Sequence, residues 1–236
     1  MPTALPDRQT QFNALHDILC ATYGAPFIYH SRKDPLSELI GSLLSHRTKN
    51  AITRAAYQQL KTDFPTWEEV IEADPKAIEE SIRRVTFPEA KAPRIQQVLR
   101  DVRERSGALS LEFLKGMTVP EARAWLQEIR GVGSKTSAAV LAFSTLRMPA
   151  LVVDTHHIRV AQRTGLVPPK MGIDKGAYAL QALIPDDWTF QMVYDNHQGY
   201  MRHGQRICLW KNPLCGECPV RAWCAYGRER GGAEGA

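Results

Sequence analysis

The 236-residue chain lacks any long apolar run, and this absence excludes the first class of protein to consider. No segment approaches the roughly 18 to 20 apolar residues that a membrane-spanning helix needs. The N-terminal segment MPTALPDRQT has no apolar core of the kind found in secretion signals, so we expect a protein of the cytoplasm. Aromatic residues make up only 8% of the chain and charged residues 23%, which is typical of a globular protein rather than a fibrous or disordered one.

Strand signals are also missing from the sequence. There is no convincing alternation of apolar and polar residues and no Asn-Gly hairpin turn. Signals for the start of a helix are frequent instead. Some are an Asp followed by a proline, and others are a Thr with a Glu three residues later, which is the spacing of a capping box. Four such starts are Asp34-Pro35, Asp74-Pro75, Thr66 with Glu69, and Thr118 with Glu121. The sequence therefore predicts an all-α fold built from short helices.

Acidic residues are scarce in two stretches of the chain. None occurs in residues 39–62, and residues 83–105 contain seven Lys or Arg against three acids. The whole chain has a net charge of +5 and a pI near 9.0, and this excess of positive charge favours an anionic partner. Each stretch taken alone is more typical of a solvated helix face, so charge alone does not assign a function.

A helix-hairpin-helix motif is predicted at residues 121–145. Apolar residues recur at helical spacing up to Ile129, and Gly131-Val132-Gly133 then allows a tight turn before a second helix. The free N–H groups and the dipole at the start of that helix would hold one anionic oxygen, such as a DNA phosphate. The alternative is that the two glycines serve only the turn between the helices.

Two ionisable residues follow this turn. Lys135 falls in the first turn of the second helix, where the helix dipole disfavours a cation and so favours the neutral amine that a nucleophile requires. Asp154 follows the apolar run Leu151–Val153, where it is either a simple N-cap or a functional carboxylate. The adjacent His156 and His157 point about 100° apart on a helix, so we do not expect them to share a metal.

Four of the five cysteines lie in the last thirty residues, at positions 208, 215, 218 and 224. Such a group in a reducing compartment indicates a metal site rather than disulfides. A zinc site commonly uses two close pairs, whereas this spacing has one close pair and two outlying thiols. The spacing therefore favours a [4Fe-4S] cluster over zinc, without excluding zinc.

Taken together, Gly131 to Thr136, Val153 to His156 and the four-cysteine loop resemble the endonuclease III family of helix-hairpin-helix DNA glycosylases and AP lyases. The resemblance implies a two-lobed fold. A six-helix barrel would comprise residues 29–148, and residues 1–28 with 149–236 would form a discontinuous iron–sulfur domain. The Gly-rich tail, residues 227–236, is predicted to be disordered.

The resemblance also implies an activity: removal of oxidised pyrimidines from duplex DNA, followed by cleavage at the abasic site. Lys135 would be the nucleophile and Asp154 the assisting carboxylate. A [4Fe-4S] cluster would bind to Cys208, Cys215, Cys218 and Cys224. Damaged or abasic duplex DNA would be the partner of a monomeric enzyme, associated with the nucleoid of the cytoplasm.

The DNA contacts implied by the resemblance are Gly131, Val132, Gly133, Lys211, Arg47 and Phe87. Two of them depart from the family pattern, in which glutamine stands at the position of Arg47 and leucine at that of Phe87. Either residue could still enter the duplex, or Arg47 could contact phosphate. These departures leave two alternatives open: an AP lyase with weak or altered glycosylase activity, and a non-catalytic iron–sulfur protein that binds DNA.

Overall fold

The structure, a computed structural model, describes residues 7–30 and 32–231. Twelve α-helices and three short 3-10 turns, with no strand, account for the regular structure of these residues, so the all-α prediction is confirmed. The α-helices are α1 Arg8–Tyr23, α2 Pro35–Ser45, α3 Asn50–Asp63, α4 Trp67–Glu72, α5 Pro75–Ser81, α6 Pro88–Ser106, α7 Val119–Gln127, α8 Ser134–Phe143, α9 Thr155–Thr164, α10 Ile173–Gln181, α11 Phe190–Arg206 and α12 Ala225–Gly231.

The predicted helix starts are present in the structure. Asp34 and Asp74 accept backbone N–H bonds as N-caps of α2 and α5, each followed by proline in the first turn. Thr66 and Thr118 both form complete capping boxes with the Glu three residues later. The polar side chains at these positions satisfy N–H groups that have no partner inside the helix, which is why the helices begin there.

Contacts divide the described residues into two compact units. Residues 32–148 form one unit, containing α2 to α8. Helix α2 is its most buried element, because apolar side chains such as Leu39, Ile40, Leu43 and Leu44 are all 3% exposed or less. It packs against α3, α6 and α8, and α7 packs against α8. This unit carries the helix-hairpin-helix segment.

Residues 7–30 and 149–231 form the other unit. Helix α11 packs against both α1 and α9, so the N-terminal helix is joined to the C-terminal part of the chain. The core of the unit includes Phe12, Leu15, Leu19, Val160 and Tyr200. Cys208 and Cys218 pack against this core, which places the cysteine loop against an apolar surface.

The end of the chain differs from the sequence prediction. Residues 227–231 were predicted to be disordered and instead belong to helix α12. Its start is held by the N–H of Arg228, which donates to the carbonyl of Cys224. Residues 232–236, the rest of the predicted tail, lie outside the described residues. No described helix is long and apolar enough to cross a membrane.

Candidate functional site

The turn between α7 and α8 has the hairpin geometry that its glycines predict. The N–H of Val132 donates to the carbonyl of Ile129 at 3.0 Å, and Gly131 between them has φ +90°, in the left-handed region that favours glycine. Val132 is 4% exposed and anchors the turn in the core. The two glycines on either side remain exposed. The turn thus presents bare backbone to solvent.

Helix α8 begins directly after this turn. Gly133 is its N-cap and, as a glycine, has no side chain to accept the N–H groups of the first turn. The positive end of the helix dipole at this turn favours an anionic ligand. Lys135 is exposed in the same turn. An anion and an amine can consequently meet at this end of α8.

His46, at the end of α2, faces the same turn and was missed by sequence reasoning. Its Nε2 lies 3.3 Å from the hydroxyl oxygen of Thr136. Burial lowers the pKa of His46, and the neighbouring cations Lys135, Lys91 and Arg94 lower it further. The imidazole is therefore neutral at physiological pH. No sequence pattern pointed to it, because its position depends on how α2 packs against α8.

Asp154 is the N-cap of α9 in the second unit. Its Oδ1 accepts the N–H groups of His156 at 2.9 Å and His157 at 2.8 Å. Burial by itself would raise the pKa of Asp154, but the hydrogen bond from the His157 N–H and the nearby histidines outweigh it and lower the pKa. The carboxylate is therefore ionised at neutral pH and half-buried, a fixed negative charge rather than a strong base.

The two histidines after Asp154 have structural environments. His157 is fully buried, and its ring stacks on Tyr200 with centroids 4.2 Å apart. Burial lowers the pKa of His157 to about 3, so it is neutral in the folded protein. His156 Nδ1 lies 3.1 Å from Arg159 Nη2. Neither arrangement resembles a metal site.

Arg47 and Phe87 are both exposed and both have positive φ, 56° and 59°. Positive φ is uncommon for residues other than glycine and is costly for a bulky side chain. Arg47 lies just after α2, and Phe87 is the residue before α6. Both loops belong to the unit that carries Lys135.

All four C-terminal cysteines line one small cavity in the other unit. The remaining walls are largely apolar, including Val160, Ile207 and Val220. None of the four thiols forms a disulfide. Burial raises the pKa of Cys218 to about 11, so thiolates in this cavity need a positive partner such as bound metal.

Polar groups around the cavity are directed at the sulfur atoms. Arg163 Nη1 donates to Cys208 Sγ at 3.3 Å, and the N–H of Gly227 donates to Cys224 Sγ at 3.3 Å. Arg163 also donates to the carbonyls of Leu209 and Trp210, which fixes the loop that follows the first cysteine. Lys211 is exposed next in this loop.

Among the described residues, no three Cys, His, Asp or Glu side chains are placed to hold a single metal ion. A multi-iron cluster differs from a single ion, because each of its irons takes its own thiolate and the four sulfurs therefore stand further apart. Four free thiols around one largely apolar cavity, with N–H donors directed at two of them, are the residues that could hold a metal group in this unit.

Comparison with known proteins decides the family. Residues 40–186 match the model described as HhH-GPD superfamily base excision DNA repair protein. Endonuclease III of Thermotoga maritima is 32% identical over 206 residues, which cover 87% of this chain and 89% of that protein. The chain belongs to the endonuclease III family. It is a DNA glycosylase of base excision repair.

Other relatives agree with this family. Endonuclease III of Escherichia coli K12 is 28% identical over 192 residues, 81% of this chain and 84% of the relative. A "Putative DNA glycosylase" of Arabidopsis thaliana is 33% identical over 190 residues, 80% of this chain, and the match spans 62% of that longer protein. A trapped covalent endonuclease III–DNA intermediate has the same fold, with a TM-score of 0.75, 23% identity and coverage of 94% and 98%.

Proposed function

We propose that the enzyme removes oxidised pyrimidines from duplex DNA and cleaves the strand at the resulting abasic site through a Schiff base on Lys135. The observation that carries the proposal is the exposed Lys135 in the first turn of α8, directly after the Gly131-Val132-Gly133 turn. A phosphate bound at this helix N-terminus would fix one DNA strand beside the amine. Family membership supports this assignment.

The reaction requires the damaged nucleotide to leave the base stack. The neutral amine of Lys135 attacks C1′ of the deoxyribose, and the bond from C1′ to the base breaks with its electron pair leaving on the base. The nitrogen passes one proton to the departed base. The bond from C1′ to the ring oxygen then breaks, the oxygen takes a proton from water to become a C4′ hydroxyl, and C1′ and the nitrogen form a protonated Schiff base. Removal of a proton from C2′ then expels the 3′ phosphate by β-elimination, which cuts the strand.

We assign Asp154 an electrostatic role in this reaction. Its lowered pKa keeps it ionised, so it can stabilise positive charge that develops at C1′ and on the attacking amine. A carboxylate of this kind is a weak base. His46 provides a neutral imidazole beside the helix that carries Lys135, available to accept a proton.

We further propose that Cys208, Cys215, Cys218 and Cys224 hold a [4Fe-4S] cluster. The fit rests on the shared cavity and the N–H groups directed at two of the sulfurs. A bound cluster would supply iron–thiolate bonds that hold the C-terminal loop in one conformation, including the exposed Lys211 that we propose contacts DNA phosphate. The enzyme would act as a monomer on nucleoid DNA in the cytoplasm.

Borohydride trapping tests the nucleophile. A duplex with one oxidised pyrimidine, incubated with enzyme and borohydride, should give a covalent adduct with the wild type and none with Lys135→Gln. Lys115→Gln, an exposed lysine on the 3-10 turn Glu112–Gly116, is the matched control and should trap normally. Trapping by Lys135→Gln would contradict the assignment. Strand cleavage at abasic sites without base removal would favour the alternative of a lyase with weak glycosylase activity.

Measurement of visible absorbance, iron and sulfide in the purified protein tests the cluster. We expect a visible absorbance band together with bound iron and sulfide. A stoichiometric zinc content with no visible band would overturn this part of the proposal and favour the zinc site that the sequence left open.

A further inference from the structure

Two loops of the unit 32–148 are joined by hydrogen bonds that no sequence motif predicted. The hydroxyl of Thr86 donates to the carbonyl of Arg47 at 2.9 Å. The N–H of Thr86 donates to the hydroxyl oxygen of Thr48 at 3.1 Å. These bonds connect the loop after α2 with the loop before α6. They fasten the backbone immediately beside Phe87 to the backbone of Arg47.

Lys91 reinforces the connection from inside the unit. It is 9% exposed, and its ammonium group donates to the carbonyls of Leu44 and His46 at 2.7 and 2.8 Å and to the hydroxyl of Thr48 at 3.0 Å. An ammonium has three N–H donors, and all three are used. The two carbonyls lie at the C-terminal end of α2, where the helix dipole favours a cation.

The backbone of Lys91 completes the connection. Its N–H donates to the carbonyl of Phe87 at 3.1 Å, so one residue binds Phe87 through its main chain and the loop of Arg47 through its side chain. The Thr48 hydroxyl links the two sets of bonds, since it accepts from Thr86 and Lys91 and donates to the His46 carbonyl at 3.3 Å. The hydroxyl hydrogens of Thr48 and Thr86 and the three ammonium hydrogens of Lys91 are therefore all used.

The network lies around two residues with positive φ, a backbone conformation that is unfavourable for residues other than glycine. Arg47 and Phe87 are two of only four non-glycine residues with positive φ in the described part of the chain. Strained residues persist where the surrounding structure over-determines them, and they concentrate at functional sites. Both side chains remain exposed, and Phe87 keeps 51% of its surface in solvent. The bonds thus hold the backbone rigid and leave the side chains free to contact a ligand.

The family resemblance implies that Arg47 and Phe87 enter the DNA duplex, and we propose that Thr86 and Lys91 are the positioning residues that hold these two residues at one fixed spacing. This inference rests on the proposed function. Inserted side chains unstack bases only if the backbone that carries them is rigid. With a fixed spacing, one side chain can fill the space left by the extruded nucleotide while the other separates neighbouring bases on the opposite side of the duplex. The role of the network is to supply that rigidity.

The test uses a duplex that contains a tetrahydrofuran abasic analogue opposite 2-aminopurine, because this analogue cannot form a Schiff base. Binding of the wild type should unstack the 2-aminopurine and raise its fluorescence. Thr86→Val removes one hydroxyl and preserves shape. We expect it to reduce this rise by at least about half and to weaken binding about threefold to tenfold. Thr62→Val, which removes a hydroxyl that bonds only to the Gln58 carbonyl of its own helix, is the matched control and should behave as wild type.

A double-mutant cycle separates positioning from general stability. If Thr86 acts through the pair, Thr86→Val should have little further effect once Arg47→Ala and Phe87→Ala are both present. Melting temperatures of all variants are measured in parallel. Lys91→Met should produce a larger loss of fluorescence than Thr86→Val. If it does not fold, Thr86→Val and the cycle decide the question alone.

Two outcomes would overturn the inference: an unchanged fluorescence rise with Thr86→Val, or additive effects in the cycle. Failure of the proposed function gives a different result, because the wild type would then neither prefer the tetrahydrofuran duplex over an intact one nor trap on a damaged duplex. The two failures are therefore distinguishable.

Discussion

The guanidinium group of Arg94 occupies the space that a Cβ atom on Gly131 would need. Arg94 lies on α6 and is exposed, and its guanidinium group stands over the hairpin turn that leads into α8. Gly131 also has φ +90°. The backbone conformation therefore favours glycine at this position, and an added side chain would also displace the Arg94 guanidinium from a site that we propose binds phosphate.

Gly131→Ala should lower the free energy of unfolding by about 1 to 2 kcal/mol, because a side chain is strained at this φ. It should also displace Arg94 and weaken DNA binding. Gly133→Ala is the comparison, since Gly133 has φ −94° and no atom within 4 Å of an added Cβ. We expect it to cost at most about 1 kcal/mol as an N-cap while weakening DNA affinity. Urea unfolding measures the stability of the two variants, and binding titrations measure their DNA affinity. Equal losses of stability in the two variants would contradict the explanation given for Gly131.

Asp154→Asn should keep the cap of α9 and lose the fixed charge. An amide oxygen can still accept the N–H groups of His156 and His157. We expect base removal to slow by about a hundredfold or more, with a small change in stability at pH 7. Single-turnover rates measure the effect. Asp74→Asn, at the N-cap of α5, is the control and should retain full activity.

The same carboxylate has a pH signature. Because the folded pKa of Asp154 is lowered, its contribution to stability is fully present above the unfolded value of about 3.9 and is lost as pH falls through the folded pKa. Wild-type protein should therefore lose more stability on acidification below about pH 4 than Asp154→Asn does. Unfolding of the two proteins is measured side by side across this pH range. The prediction is refuted if the stability of both proteins depends on pH in the same way.

Glu38→Gln should stabilise the protein only at neutral and alkaline pH. Burial raises the pKa of Glu38 to about 7, against 4.5 for the unfolded chain. The folded state therefore binds more protons between these values, and wild-type stability should fall as pH rises through that window. We expect the variant to gain on the order of 1 to 3 kcal/mol at pH 8 and nothing at pH 4. The exposed Glu104→Gln is the control in denaturant unfolding at both pH values.

Arg163→Leu should loosen the loop that follows Cys208. It removes three hydrogen bonds, to Cys208 Sγ and to the carbonyls of Leu209 and Trp210. If the proposed cluster is present, its visible absorbance should decay several-fold faster in the presence of a chelator. Arg163→Lys keeps the charge without the forked geometry and should decay at an intermediate rate. Lys170→Leu, an exposed cation of the same unit, should match wild type.

Sequence alone determined the helical fold, the helix starts and the family, because these depend on local chemistry. A capping Asp before a proline, a Thr–Glu box and two glycines at a turn act through neighbours in the chain, so Thr118, Glu121 and Gly131 could be interpreted in place. The four cysteines were also recognisable, since only their spacing was needed. The roles of Lys135 and Asp154 stay predictions.

Tertiary structure decided everything that depends on contacts between distant segments. Lys91 and Arg94 belong to the same basic stretch, yet one is buried against the end of α2 and the other is exposed over the hairpin. Their sequence context gave no means of separating them, because burial is set by which helix packs on which. The link from Thr86 to Arg47 spans 39 residues. Only the folded chain brings those two loops together, and with them the bonds that hold Arg47 and Phe87.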